Sequence, residues 1–351
     1  MSDINTTGLD LQTLSHWLEH HVHGFAGPLR AEKFAGGQSN PTYKLLTPTA
    51  TYVMRCKPGP VSQLLPSAHA IEREFRVMQA LAHTAVPVPH MLVLCEDETI
   101  IGRAFYVMEY KAGRLFWEPD LPNVAHDQRM PIYAAMNKVL ATLHTIEPAA
   151  IGLQDYGKAG NYFERQIGRW SKQYQASITQ PIAAMDQLMA WLPQHIPDMA
   201  LDPRFHSIVH GDYRIDNLLF DPLQPQVVAV LDWELSTLGH PLADFSYHCM
   251  AWHIEPGVFK GMGGIDIQAL GLPSEHEYMA LYCQHTGFAQ PEQLQREWNF
   301  YLAYNLFRLA AILQGIAKRL EAGIASSDQA HHYAAAARPL AELGWRFAQQ
   351  H

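Results

Sequence analysis

The sequence predicts an α+β fold, with strands gathered in residues 1–110 and helices dominating residues 111–351. Two patterns carry this expectation. Short runs rich in branched and aromatic residues, Thr51–Lys57, Met91–Cys95 and Ala104–Glu109, recur in the first part between Pro- and Gly-bearing turns. Farther on, apolar residues recur every three or four positions. Ile132, Met136, Val139, Leu140 and Leu143 form one such stripe, and Leu302, Leu306, Leu309 and Leu313 another.

The chain has 351 residues, 48% hydrophobic and 17% charged, the balance of a well-buried globular protein of one large or two modest domains. A formal charge of -9 argues against nucleic acid as a partner, since that needs a clustered basic face. It still leaves room for a local basic pocket. Cys56, Cys95, Cys249 and Cys283 are far apart and lack metal-ligand spacing, so they read as reduced, buried thiols of a cytoplasmic protein. The polar start has no secretory pattern, and no uninterrupted apolar run has transmembrane length, so no membrane partner is expected. The sequence points to no oligomeric state.

In chain order, Leu11, Leu14 and Leu18 mark a first helix from Asp10, its N-cap, to His20. His20, His21 and His23 cannot all face one ion from a helix end and read as solvated surface. Phe34 to Leu45 is a glycine-rich turn feeding a strand, with Gly36 and Gly37 able to let backbone N–H groups approach phosphates. The strand Thr51–Lys57 carries two cations, Arg55 and Lys57, on one face. A helix follows from about Ala68 to Ala82, with Ile71, Phe75, Met78 and Ala82 inside and Glu72 and Glu74 as acidic candidates. Met91–Cys95 and Ala104–Glu109 form an antiparallel pair. His144 ends the helix of the first apolar stripe as a structural histidine. Arg165, Arg169 and Lys172 make a basic stripe on a helix from Tyr162 to Tyr174, a candidate contact for an anionic acceptor. Long helices over Trp298–Leu320, stopped by Gly323, and Ala330–Gln350 complete the chain.

The chemistry is concentrated in Val209-His210-Gly211-Asp212-Tyr213-Arg214-Ile215-Asp216-Asn217 and in Asp232-Trp233-Glu234. Apolar runs flank each cluster, and Pro222 and Pro225 mark a turn between them. A hairpin there would bring Asp212, Asn217 and Asp232 to one mouth. An Asp, an Asn and a second Asp together suit phosphoryl transfer. One carboxylate orients a hydroxyl, and the other two oxygens hold magnesium against nucleotide phosphates.

His-Gly-Asp with Asn five residues after the Asp, then Asp-Trp-Glu, resembles the motifs of aminoglycoside phosphotransferase-type small-molecule kinases, relatives of the protein kinases. The resemblance runs from about Phe34 to Phe347. Tyr52–Gly59 and Tyr304–Gly315 are closest to the subgroup related to the domain found beside acyl-CoA dehydrogenases. It implies a bilobal protein-kinase-like fold: an antiparallel-sheet nucleotide lobe over 1–110 and a mainly helical catalytic and acceptor lobe over 111–351. It implies ATP and Mg2+ as cofactors and a hydroxyl of a small metabolite, such as a hydroxyacyl thioester, as acceptor. The alternatives are a regulatory module that binds nucleotide without transfer, and an antibiotic phosphotransferase.

Carried over residue by residue, Asp212 is the catalytic base, and Asn217 and Asp232 are the metal ligands. Arg55 stands where these kinases place a phosphate-binding cation, commonly Lys, and Lys57 shares its side of the strand. Glu74 is its helix partner. Gly36, Gly37, Ser39 and Asn40 form the loop over the nucleotide, with Ser39 and Asn40 at its tip. Met108, Glu109 and Tyr110 border the adenine. Asp244 resembles the buried Asp that braces the catalytic loop.

Overall fold

The computed structural model describes residues 8–34, 40–58, 70–158, 160–323 and 330–350. The chain forms two compact units. Met1–Gly113 with Val228–Leu235 make the first, and Arg114–Val227 with Ser236–His351 the second. The segment bearing Asp232 therefore belongs with the N-terminal strands, whereas Asp212 and Asn217 lie in the second unit.

The first unit is an antiparallel sheet flanked by helices. Its elements are α1 (Leu11–His21), β1 (Arg30–Lys33), β2 (Thr42–Leu46), β3 (Thr51–Cys56), α2 (Ile71–Leu81), β4 (Met91–Cys95) and β5 (Phe105–Glu109), with the strands in the order β1-β2-β3-β5-β4. Asp10 caps α1 by accepting from the backbone N–H groups of Gln12 and Thr13. Strand alternation then sorts β3 by face. Met54 and Cys56 join Leu14 and Leu18 of α1, Leu45 and Phe105 in one apolar cluster. Val53 and Arg55 point to the opposite face.

On α2 the buried positions are Ile71, Glu74, Val77, Met78 and Leu81. The helix face is thus rotated from the expected one: Phe75 is only partly buried, and Glu74 takes an inside position. A carboxylate in an apolar stripe needs partners, and finding them defines the site below.

The second unit is mainly helical. It contains β6 (Arg114–Leu115), α3 (His126–Thr145), α4 (Tyr162–Ser177), α5 (Ala183–Trp191), α6 (Asp198–Leu201), β7 (Ser207–Val209) and β8 (Leu218–Phe220). The chain leaves it through β9 (Val227–Val230) and returns with β10 (Thr237–Gly239), α7 (Pro241–Cys249), α8 (Glu275–Thr286), α9 (Pro291–Glu321) and α10 (Ala330–Gln349). β7 pairs antiparallel with β10, and β6 with β8.

α9 is the central helix of this unit, with α4, α7 and α10 packed on it. By length and composition it is apolar enough to cross a membrane, but its apolar window is 78% buried in the fold, as for a core helix. Gly323 follows it at φ 70°, a left-handed stop that a side chain would strain. Its buried face carries three polar residues, Asn305, Arg308 and Gln314. Asn305 Nδ2 donates to Ala243 O at 2.9 Å and to Ser246 Oγ at 2.7 Å, tying α9 to α7.

Candidate active site

The first unit gathers four of the residues singled out in the sequence. Arg55 on β3 lies opposite Tyr106 on β5, so both side chains leave the sheet toward α2. Glu74 meets them there, at 1% exposure. Arg55 Nε lies 3.2 Å from Glu74 Oε2, near enough for an ion pair though its N–H is not aligned as a hydrogen bond. Tyr106 Oη donates to Glu74 Oε2 at 3.1 Å, and Asn40 Nδ2 to Glu74 Oε1 at 2.8 Å.

The other end of Arg55 reaches two more carboxylates. Nη2 donates to Asp232 Oδ1 at 2.7 Å and lies 3.5 Å from Glu234 Oε2. Burial works against the Arg55 charge, but Asp232 and Glu74 outweigh it and hold the guanidinium firmly protonated. Burial pushes Glu74 up to about 7 despite the pull of Arg55. Asp232 has φ 64°, a left-handed backbone unusual for a residue other than glycine. That turn aims its carboxylate at Arg55. Among the described residues no donor reaches Asp232 Oδ2.

Lys57 takes a separate partner. Its Nζ lies 3.3 Å from Glu72 Oε2, both side chains being half exposed. Of the two cations on this strand face, the structure gives Arg55 the carboxylate cluster and Lys57 a surface pair.

The second unit holds Asp212 in a tightly braced loop. Asp244, at the start of α7, accepts from the backbone N–H of His210 at 2.5 Å and of Gly211 at 2.7 Å. This is the brace expected of Asp244. Burial alone would raise its carboxyl, but the hydrogen bond and charge of His144 and the contacts of His210 hold it below the usual range. His144 Nδ1 pairs with Tyr282 Oη at 2.7 Å, so it is the structural histidine foreseen. Gly211 has φ 84°, which lets its N–H turn to Asp244 while its carbonyl accepts from buried Arg308. Tyr213 Oη donates to Met136 O at 2.8 Å and closes the far side of the loop.

On this platform the Asp212 carboxylate is oriented from several sides. Tyr247 Oη donates to Oδ1 at 2.6 Å, and Asn217 Nδ2 to Oδ2 at 3.0 Å. Arg214 Nη2 reaches Oδ2 at 3.3 Å, and its Nε lies 3.1 Å from Oδ1. Burial and the nearby Asp212 charge push the Tyr247 hydroxyl far up, so it remains a donor. The Arg308 guanidinium lies 4.8 Å over the Tyr247 ring and steadies it.

The donors that a magnesium ion needs are hard oxygens. Asn217 spends its Nδ2 on Asp212, and among the described residues no donor reaches its Oδ1. Asp232 likewise keeps one carboxylate oxygen. Each therefore has the ligand atom that its expected role requires. No group of three or more His, Cys, Asp or Glu with metal-binding geometry occurs among the described residues, the N-terminal histidines included.

The model of the phosphotransferase enzyme family matches residues 30–282. The chain belongs to this family. Acyl-CoA dehydrogenase family member 10 of Mus musculus is 46% identical over 338 residues, which cover 94% of this chain and 31% of that protein. The chain thus spans less than a third of that relative's length. A solved structure from Ralstonia eutropha, assigned to the aminoglycoside phosphotransferases, is 56% identical with a TM-score of 0.87, covering 97% of this chain and 99% of the other. Choline kinase from Cryptosporidium parvum shares the fold at 11% identity and a TM-score of 0.67, covering 97% of each chain. The fold is protein-kinase-like, with its antiparallel sheet in the first unit and its helices mostly in the second.

Within this family member, some expected positions lie outside the described residues, and the structure gives others partners of their own. Gly36, Gly37 and Ser39 lie outside them. Asn40 is fully buried on Glu74 and is not an exposed loop tip. Met108 is buried at the end of β5. Glu109 accepts from His90 N at 2.8 Å and pairs with Lys111 at 2.9 Å, while Tyr110 is exposed with Lys44 Nζ 4.8 Å from its ring centroid. Of the basic stripe, Arg165 donates to the carbonyls of Gly160 and Lys158, and Arg169 lies 5.0 Å over Trp170. Those two serve their own helix and its entry.

Sequence reasoning missed Glu234, Tyr247, Arg308 and the role of Arg214. Glu234 sits inside the second acidic motif. Tyr247 follows Asp244 by three positions, which on a helix puts both on one face. Arg308 is a charge inside an apolar stripe, a signal readable from the helical period alone.

Proposed function

We propose that the protein transfers the γ-phosphate of ATP, with magnesium, to a hydroxyl of a small metabolite. Family membership supports phosphoryl transfer to a small molecule. The observation that carries the finer reading is Asp212, a partly exposed carboxylate fixed by Tyr247 and Asn217 on a loop braced by Asp244. A positioned carboxylate of this kind aligns an acceptor hydroxyl and takes its proton late, as the oxygen bonds to phosphorus. The acceptor O–P bond forms while the bond from the γ-phosphorus to the bridging oxygen breaks, and ADP leaves.

The remaining roles follow the family pattern. Arg55, fixed by Glu74, is the phosphate-binding cation, and its planar fork suits phosphate as well as the carboxylates it touches. Asn217 Oδ1 and Asp232 are the oxygen ligands for magnesium, which when bound neutralises phosphate charge. Met108, Glu109 and Tyr110 border the adenine, and buried Asn40 helps Arg55 to fix Glu74. The likeness to an acyl-CoA dehydrogenase family member favours a hydroxyacyl thioester as acceptor over an antibiotic.

The test is single-turnover transfer after a screen of hydroxylated metabolites read by phosphorus NMR. Asp212→Asn keeps the shape but cannot take the proton. It is expected to slow transfer by about a hundredfold or more while ATP affinity, measured by calorimetry, changes little. Transfer at the parent rate would remove Asp212 as the base.

A further inference from the structure

We infer that Arg214 occupies the acceptor's place on Asp212 in the resting protein, and that it moves onto Asp216 when the acceptor binds. The inference rests on the phosphotransferase reading of Asp212 and adds a residue to it. A carboxylate has room for about four hydrogen bonds. Tyr247 and Asn217 hold the Asp212 oxygens at 2.6 and 3.0 Å. Arg214 spans both oxygens: Nη2 donates to Oδ2 at 3.3 Å, and Nε stands 3.1 Å from Oδ1 without being aligned as a hydrogen bond. An acceptor hydroxyl must come within about 3 Å of that carboxylate to be aligned. Tyr247 and Asn217 are buried and fixed, so Arg214 is the group that must give way.

The structure also holds a place for it to go. Asp216 Oδ2 is bound by Lys260 Nζ at 2.5 Å, and Arg214 Nη2 already stands 3.5 Å from that oxygen. Asp216 Oδ1, however, is buried with no hydrogen-bond partner. A buried carboxylate oxygen left so is costly, and an arriving guanidinium N–H would satisfy it. Arg214, Asp216, Tyr247, Phe259 and Lys260 line one pocket, so Arg214 and its destination share a cavity. Phe259, whose ring centroid is 5.6 Å from the guanidinium, gives the side chain a surface to slide along.

The move would free the Asp212 oxygens for the acceptor hydroxyl. Arg214 stays beside the acceptor and, with Lys260, presents donors to it. The pocket therefore suits an acceptor with an oxygen atom near its reactive hydroxyl and an apolar portion against Phe259, Met250 and Ile254. Arg214 is a positioning residue in this scheme and takes no proton.

The first test is a crystal structure of the Asp212→Asn variant without nucleotide or acceptor. With the charge at position 212 gone, the guanidinium should lie within about 3 Å of Asp216 Oδ1. A guanidinium that stays at position 212, or turns to solvent, overturns the proposal. The second is ATP hydrolysis without acceptor, read as phosphate release. Arg214→Ala should hydrolyse ATP about fivefold faster than the parent, because water gains access to the base, and the gain should vanish when Asp212→Asn is added. An unchanged or slower rate in Arg214→Ala, with ATP bound at the parent affinity, also overturns it. If the parent binds no ATP, the phosphotransferase reading itself fails, a result the crystal structure of the variant would not produce.

Discussion

Arg55 shows how much one residue organises in the first unit. Its guanidinium touches Glu74, Asp232 and Glu234, and only a planar fork reaches in several directions at once. Lysine, a point charge, would hold fewer of them. Arg55→Ala leaves Glu74 buried without its cation, a loss of about 3 kcal/mol by the measure of broken buried pairs. Lys57→Ala removes a half-exposed pair with Glu72 and should cost less than about 0.5 kcal/mol. Urea denaturation of both variants checks the ranking, and equal losses would mean that Arg55 does not anchor the cluster. Asp232→Ala is expected to abolish the magnesium dependence of ATP binding, measured by calorimetry with and without the ion. An unchanged magnesium effect would remove Asp232 from the ligands.

At the scale of elements, the loop 210–217 is held by helices far away in sequence. Asp244 on α7 binds its backbone N–H groups, Arg308 on α9 its carbonyl, and Met136 on α3 its Tyr213. Asp244 is also in contact with His144 on α3. Asp244→Ala would leave two buried N–H groups without an acceptor, at a cost of about 1–3 kcal/mol each. Hydrogen exchange should show the Gly211 and His210 amides opening well before the body of α9. Unchanged protection there would mean that the brace is not needed. α2 carries the complementary lesson. Its apolar pattern placed a helix within a few residues of Ile71–Leu81, but the buried side is set by Glu74 meeting Arg55 and Tyr106. Periodicity scores apolar residues and passes over a carboxylate with buried partners.

For the whole molecule, pH should act on the two units with opposite signs. Burial holds His240 down to about 3 and His248 down to about 4 in the second unit. A histidine kept neutral by the fold stabilises fully above its unfolded pKa near 6.5, and that stability is lost as pH falls toward the folded values. Each contributes a slope of up to about 1.4 kcal/mol per pH unit. In the first unit burial raises Glu74 to about 7 from 4.5. Its contribution is fully present below 4.5 and is lost as pH rises through 7, so acid favours that unit. Between pH 6.5 and 5, hydrogen exchange should therefore show amides of α7 losing protection and those of α2 holding or gaining it. Parallel loss in both would contradict the assignment.

The sequence by itself determined the family, the strand-to-helix progression and the acidic motifs, because these are written in residues close together in the chain. Asp212 and Asn217 are five positions apart, and the apolar periods of α3 and α9 are local properties. It also identified Asp244 as a brace and His144 as structural. Only the tertiary structure decided which cation on β3 meets Glu74, since Arg55 and Lys57 share a strand face and differ only in what packs against them. It alone drew Asp232 and Glu234 into the N-terminal unit, turned Asn40 inward, and brought Tyr247 and Arg308 to the loop 210–217 from positions 35 and 97 residues away along the chain. The reason is physical. A buried polar group is placed by the partners that satisfy it, and those partners come together only when distant segments fold.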